Sequence, residues 1–247
     1  MNARCGVALA ALAALAALVP ASALGDAAIY LTWNDCALGA EAASDFAFPC
    51  DTDDGFEELF CAFAVPATTT DVLGIIAVVD LQTAAATVPD WWRLAAAGGC
   101  RSGYLSTSGD FTQNASCVDP WLGQAAAEVQ AYDVGEPHTA SQARIKVVCG
   151  VTPDLARTLE PTGVYYGVKL VIRNTLSTGA GACVGCGDGA CLVLNSIDVV
   201  RATDSIILKT PAPGNLNWAR WHGGAGADCM LVPVRSLTWG GVKSLYR

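Results

Sequence analysis

The sequence predicts an all-β protein: an antiparallel β-sandwich, jelly-roll or immunoglobulin-like, stapled by disulfides and followed by a folded-back C-terminal extension. Three observations predict it. Short segments alternating apolar and polar residues recur between loops rich in Gly, Pro, Asn and Ser, and no long stretch carries a helical period. The N-terminus reads as an export leader. The cysteine count then suits a protein that oxidises after export.

The leader comes first. Met1-Asn-Ala-Arg4 is a short positive start, Cys5 to Val19 is almost wholly Ala, Leu and Val, and Pro20-Ala-Ser-Ala23 closes the run with small residues. Cleavage is expected after Ala23, so residues 1–23 are a signal peptide, 24–210 the sandwich and 211–247 the extension packed on it. The apolar run is shorter than the roughly 20 residues a membrane span needs, so no transmembrane segment is expected. The expected location is secreted, cell-surface or periplasmic.

Removing Cys5 from the 11 cysteines leaves ten, an even number. Cys36, Cys50, Cys61, Cys100, Cys117, Cys149, Cys183, Cys186, Cys191 and Cys229 are therefore expected in five disulfides. Loop length favours Cys36–Cys50 and Cys100–Cys117, with the other six sharing three bonds. Zinc is the competing chemistry at Cys183-Val-Gly-Cys186, but the chain holds no second C-x2-C pair, and His138 and His222 lack paired spacing.

The strands follow in order. Ala28 to Trp33 is apolar and ends at Asn34-Asp35. Residues 37–55 form a small acidic loop, Phe56 to Val65 resumes as a strand, and Pro66 stops it. Leu73 to Leu81 is apolar on both faces and rich in β-branched residues, as a buried strand requires. Residues 100–117 read as a polar surface loop. Gln124 to Tyr132, Ala143 to Val147 and Val164 to Ile172 each alternate with period two. The glycine-rich cysteine turn opens into an apolar strand over residues 191–201, and Ser205 to Lys209 completes the set. In the tail, the spacing of Trp239, Val242 and Tyr246 predicts a short final helix.

Charge excludes one partner class. Lys and Arg number 14 against 23 Asp and Glu, a formal charge of -9, and no basic run occurs. Phosphate contacts need Lys and Arg, so nucleic acid is not an expected partner.

Two sets of residues carry candidate sites. Asp51, Asp53, Asp54 and Glu57, with Glu58 beside them, follow a carboxylate-and-glycine pattern that suits calcium, although Gly55 comes one position early for an EF-hand loop. The bland alternative is a solvated acidic loop, so the expected cofactor is none, with calcium as the alternative. Trp91, Trp92, Trp218 and Trp221, with Asp90, Arg93, Asn217 and His222 as polar neighbours, suit a stacking platform for sugar rings. The competing view is that these tryptophans fill or rim the core.

Catalysis has less support. The chain contains no G-x-S-x-G, H-E-x-x-H or phosphate-loop motif. Asp80, Asp90 and Asp198, in or beside strands, are the suspects for a two-carboxylate glycosidase. Asn114-Ala-Ser116 matches a glycosylation sequon.

Three runs, Leu31-Thr-Trp-Asn-Asp-Cys36, Val88-Pro-Asp-Trp-Trp92 and Trp239-Gly-Gly-Val-Lys-Ser-Leu-Tyr-Arg247, resemble those of uncharacterised secreted bacterial proteins, a likeness that spans most of the mature chain. It implies export and carries no activity. Leu194-Asn-Ser-Ile-Asp-Val-Val200 is similar to the final strand of jelly-roll carbohydrate-binding modules. The resulting expectation is a non-catalytic module that binds a glycan or cell-surface ligand. A self-associating structural protein and a glycosidase-like enzyme are the alternatives.

Overall fold

The computed structural model describes residues 26–36, 44–114, 116–212, 216–224 and 229. Twelve strands run through them: β1 (Ala28–Trp33), β2 (Asp45–Phe46), β3 (Phe56–Ala64), β4 (Thr69–Thr83), β5 (Leu105–Ser108), β6 (Ala126–Val134), β7 (Gln142–Gly150), β8 (Arg157–Leu159), β9 (Tyr165–Arg173), β10 (Ala190–Arg201), β11 (Ser205–Leu208) and β12 (Trp218–Trp221). Two sheets pack face to face. The smaller has the order β1-β3-β9-β5. The larger is β2-β12-β10-β4-β7-β6, with β11 on β10 and β8 on β4. All pairings are antiparallel except β2 with β12. The protein is a disulfide-stapled β-sandwich, as its alternation predicts.

Period-two patterning decides which side chains meet between the sheets. Ile75, Ala77, Val79 and Leu81 of β4 and Leu192, Leu194, Ile197 and Val199 of β10 face Leu59 and Phe63 of β3 and Val168, Leu170 and Ile172 of β9. The phase of β10 slips once: the register with β4 shifts between Leu194 and Ser196, so Asn195 is an extra residue in the strand. Gly167 is needed where β9 packs on β4, because a Cβ there would lie 2.4 Å from Ile75 Cδ1. On the outer face of the larger sheet Asp80, 2% exposed, takes a bidentate pair from Arg144 at 2.8 Å for both bonds.

The outer edge of β1 is covered from far along the chain. Ile29 N–H donates to Thr210 O (3.0 Å), Ala212 N–H to Ile29 O (3.1 Å) and Leu31 N–H to Leu216 O (2.7 Å). The outer face of the smaller sheet is covered by the loop after β5. Phe111 packs against Phe60 and Tyr166 there. The Asp119 carboxylate holds that loop in shape by accepting the N–H groups of Phe111, Trp121 and Gly123.

Among the described residues four disulfides form: Cys36–Cys117, Cys50–Cys186, Cys100–Cys183 and Cys191–Cys229. The short-loop pairs Cys36–Cys50 and Cys100–Cys117 are therefore overturned. The fold brings together cysteines 38 to 136 residues apart, all but Cys191 outside the strands, and this outweighs proximity along the chain. Cys61 and Cys149 are also corrected: both are buried free thiols on inward-facing positions of β3 and β7. Desolvation pushes each up to about 12.

Residues 100–117 are corrected in part. They contain β5, which pairs with β9, and the segment is bonded to Cys183 and Cys36 rather than to itself. Residues 216–224, within the expected extension, supply β12 to the larger sheet. The expected signal peptide over 1–23 and the expected helix over Trp239, Val242 and Tyr246 lie outside the described residues.

Candidate functional site

The cysteine turn after β9 meets two other segments at one end of the sandwich and forms a cleft of about 590 Å³. Its walls are the 85–93 segment after β4, the β6–β7 hairpin and the turn between Cys183 and Cys191. Main-chain hydrogen bonds stitch these together: Val88 N–H to Ala140 O (2.8 Å), Trp91 N–H to Val184 O (2.9 Å) and Ala84 N–H to Gly189 O (3.0 Å). Gly185 is required at the junction. Its φ is +107° and a Cβ would fall 2.3 Å from Pro89 Cβ. Two disulfides, Cys100–Cys183 and Cys50–Cys186, tie the turn to separate parts of the molecule.

The lining is chemically mixed. Val88, Pro89, Val134, Ala140 and Val184 are apolar, and Val184 is 77% exposed. Asp90, Arg93 and Asp188 supply the charges. Arg93 Nη1 lies 3.7 Å from Asp90 Oδ1, a loose pair, and Arg93 Nε is buried with no acceptor. The guanidinium therefore keeps donor capacity that Asp90 does not use. The Pro89-Asp90 step opens a single 3-10 turn, Asp90–Trp92, which turns the Asp90 side chain out and both tryptophans in.

That turn corrects the stacking platform. Trp91, Trp92 and Trp221 are each 0% exposed and touch one another, with ring centroids 4.9 to 5.3 Å apart. Phe48 and Trp33 complete the cluster around Trp221. Trp221 Nε1 donates to Cys186 O at 2.6 Å, so the cluster supports the cysteine turn from beneath. Trp218 alone of the four proposed rings is half-buried, and the Arg220 guanidinium covers it at 4.6 Å. The platform residues thus divide: Asp90 and Arg93 line the cleft, Asn217 bonds Leu194 O through Nδ2, and His222 lies against Trp221 and the Cys50 sulfur.

Beneath Trp91 lies a residue that no motif marks. Arg101 is fully buried, its guanidinium 3.8 Å from the Trp91 ring centroid. Its Nη atoms donate to the carbonyls of Trp91 and Arg173, and Nε has no partner. Burial pushes it down to about 10, against the opposing pull of Tyr104 and Asp53. The Tyr132 hydroxyl donates to Trp92 O, and burial raises its pKa well above the ordinary phenol range. The missing sequence signal is plain: a lone Arg in a Gly-Ser-rich stretch looks solvated.

The calcium set is not assembled. Asp53 Oδ1 accepts the N–H groups of Ser177 (2.8 Å) and Thr178 (2.9 Å). Glu57 Oε2 accepts from Asn34 Nδ2 (2.7 Å), and Glu58 pairs with Lys169 at 2.8 Å. Asp51 and Asp54 are exposed, and Asp54 holds Asn174 through its carbonyl. Asp53, Glu57 and Glu58 each hold a different neighbour through their carboxylates, so the run docks separate loops. Among the described residues no three His, Cys, Asp or Glu side chains converge on a metal-sized site.

The suspected catalytic carboxylates are also scattered. Asp80 is opposite Val193, and Asp198 is opposite Ile76. Four residues of β4 separate those positions, about 13 Å along the strand, beyond the carboxylate spacings of glycosidases. Asp80 is locked by Arg144, whereas Asp90 belongs to the cleft at the end of the sandwich.

No protein-family model, no curated protein and no solved structure matches the chain. Among the described residues no helix is long and apolar enough to cross a membrane. Four disulfides fit an extracellular or otherwise oxidising compartment.

Proposed function

We propose that this protein is an exported, non-catalytic binding module that seats a sugar-like polyol in the cleft at the cysteine turn. One observation carries this reading: a cleft of about 590 Å³ sets Asp90, Arg93 and Asp188 among aliphatic walls. Hydroxyl groups donate to the two carboxylates and accept from the exposed part of the Arg93 guanidinium, while aliphatic C–H surfaces rest on Val88, Pro89 and Val184. The absence of an exposed ring in the lining makes aliphatic contact and hydrogen bonding, rather than stacking, the basis of recognition. The two disulfides hold the wall in place before the ligand arrives, which reduces the ordering cost of binding.

The test is calorimetry against a panel of soluble glycans, with Trp91 and Trp92 fluorescence as a second readout. Saturable binding that is lost in Asp90→Ala and Arg93→Ala, at unchanged melting temperature, supports the module. No heat with any glycan rejects it.

A second reading is favoured by a separate observation. On the outer face of the larger sheet Val148, Ile76, Asp198 and Ile207 are neighbours across four strands, and Ile207 is 57% exposed. A second copy of the chain laid over this row would make a self-associating structural protein. Sedimentation velocity over a hundredfold concentration range decides between them, with Ile207→Lys as the disrupting variant.

A further inference from the structure

We propose that the Cys50–Cys186 disulfide is a thiol-exchange site, operated by His222 and opened by an external thiol. The four disulfides differ in what surrounds their sulfurs. His222 Nε2 lies 3.7 Å from Cys50 Sγ. Cys50 is partly exposed, whereas Cys186 is buried, so an incoming thiol reaches Cys50 first. Cys191–Cys229 has Arg220 Nε at 3.4 Å from Cys229 Sγ, but both its cysteines are buried. Cys100 is exposed but has no imidazole on its sulfur, and the same is true of the half-buried Cys117. Only Cys50–Cys186, among the described residues, combines access with a proton carrier.

The exchange balances as follows. A thiol beside Cys50 gives its proton to His222. Its sulfur attacks Cys50 Sγ, and a bond forms between the two. The Cys50–Cys186 bond breaks, and its electron pair stays on Cys186 Sγ. His222 returns the proton to that thiolate. The products are a mixed disulfide at Cys50 and a free thiol at Cys186. A second equivalent of thiol attacks the incoming sulfur and releases Cys50 as a thiol. Overall two thiols are oxidised to one disulfide, and the protein disulfide is reduced by two electrons.

His222 is held in place for this role by backbone geometry. It sits at φ +49°, with its N–H donated to Phe46 O at 2.8 Å, in a turn continued by Gly223 and Gly224. Its ring also rests against Trp221. Such a conformation is uncommon for a residue with a side chain and persists when its surroundings hold it there.

Opening the bond changes the cleft, and this consequence rests on the cleft being the ligand site. Cys186 lies in the turn between Val184 and Asp188. Without Cys50 the turn is held by Cys100–Cys183, the Trp91–Val184 main-chain bond and the Trp221–Cys186 bond. The wall then loses the strut that fixes it against the acidic loop.

The experiment uses the oxidised, leader-free protein in graded glutathione, quenched with iodoacetamide and read cysteine by cysteine by mass spectrometry. Cys50 and Cys186 are expected to label before the other pairs. His222→Asn slows that step about a hundredfold, the low end for removal of a general acid–base group. Asn tolerates the left-handed backbone, and the Cys191–Cys229 labelling rate in the same molecules serves as the folding control. Earlier opening of the more exposed Cys100–Cys183, or an unchanged rate in His222→Asn, overturns the proposal. Glycan binding by Cys50→Ser/Cys186→Ser is measured separately. If labelling behaves as expected and binding is unaltered, the exchange site stands and its coupling to the cleft falls.

Discussion

Replacing Trp221 with Ala separates a core tryptophan from a ligand-stacking one. The ring is 0% exposed and lies 4.3 Å from Phe48, 4.9 Å from Trp91, 5.3 Å from Trp92 and 5.9 Å from Trp33, centroid to centroid. Deleting a buried aromatic of this kind costs about 3–5 kcal/mol in transfer and cavity terms. The Cys186 carbonyl, now without its indole donor, adds about 1 kcal/mol or more. The expected loss is therefore about 4–6 kcal/mol, or roughly 10–20 °C in melting temperature for a domain of this size. Thermal unfolding of the oxidised protein by circular dichroism measures it. Trp221→Phe keeps an aromatic filler but not the donor, and falls between Ala and the parent. A Trp221→Ala protein that melts within about 2 °C of the parent would refute the core assignment, because exposed rings change stability by only a few tenths of a kcal/mol.

Four further outcomes follow from the same structure. In denaturant without reductant, thiol titration of the leader-free protein gives two thiols, Cys61 and Cys149, and none react rapidly in the native state; ten would refute the disulfide set. Because folding raises both thiols from 9.0 to about 12, the native state holds those protons more tightly, so stability is intact below pH 9 and declines as pH rises from 9 toward 12, which urea melts at stepped pH will register. Asp53→Ala removes the acceptor for Ser177 and Thr178 N–H and costs about 1–2 kcal/mol, whereas EDTA leaves the parent's melting temperature unchanged; a drop with EDTA would restore the calcium assignment. Gly185→Ala forces a side chain onto φ +107° and into Pro89, so it destabilises by about 2–4 kcal/mol and weakens any cleft ligand; an unchanged melting curve would contradict that packing.

The strands that sequence made legible are those with one buried face. Ala143, Ile145 and Val147 alternate with Arg144 and Lys146 because β7 is wetted on one side, and period two survives in the residues. Leu105-Ser-Thr-Ser108 stayed hidden because an edge strand of four residues with one apolar side chain has no alternation to read. Trp91 and Trp92 resisted for a different reason. Neighbours in an extended chain point to opposite faces, but here a 3-10 turn buries both, and only the backbone reveals that. Of the cleft, Asp90 and Arg93 stood out beside the tryptophans, whereas Asp188 and Val134 come from turns whose approach is fixed by β10 and by the β6–β7 register. Cysteine pairing was illegible on a similar ground: sequence supplies loop length, and the folded approach of loops supplies distance.

The cover over β1 has a consequence for the order of assembly. The first strand of the chain leaves a row of main-chain donors and acceptors at Ile29 and Leu31, and the groups that answer them belong to Thr210, Ala212 and Leu216. Nearly the whole chain must therefore exist before its beginning is safe. A product ending anywhere short of residue 210 presents β1 as a bare template to its neighbours, and such edges recruit other strands. Truncation from the far end is thus a solubility lesion felt at the near end.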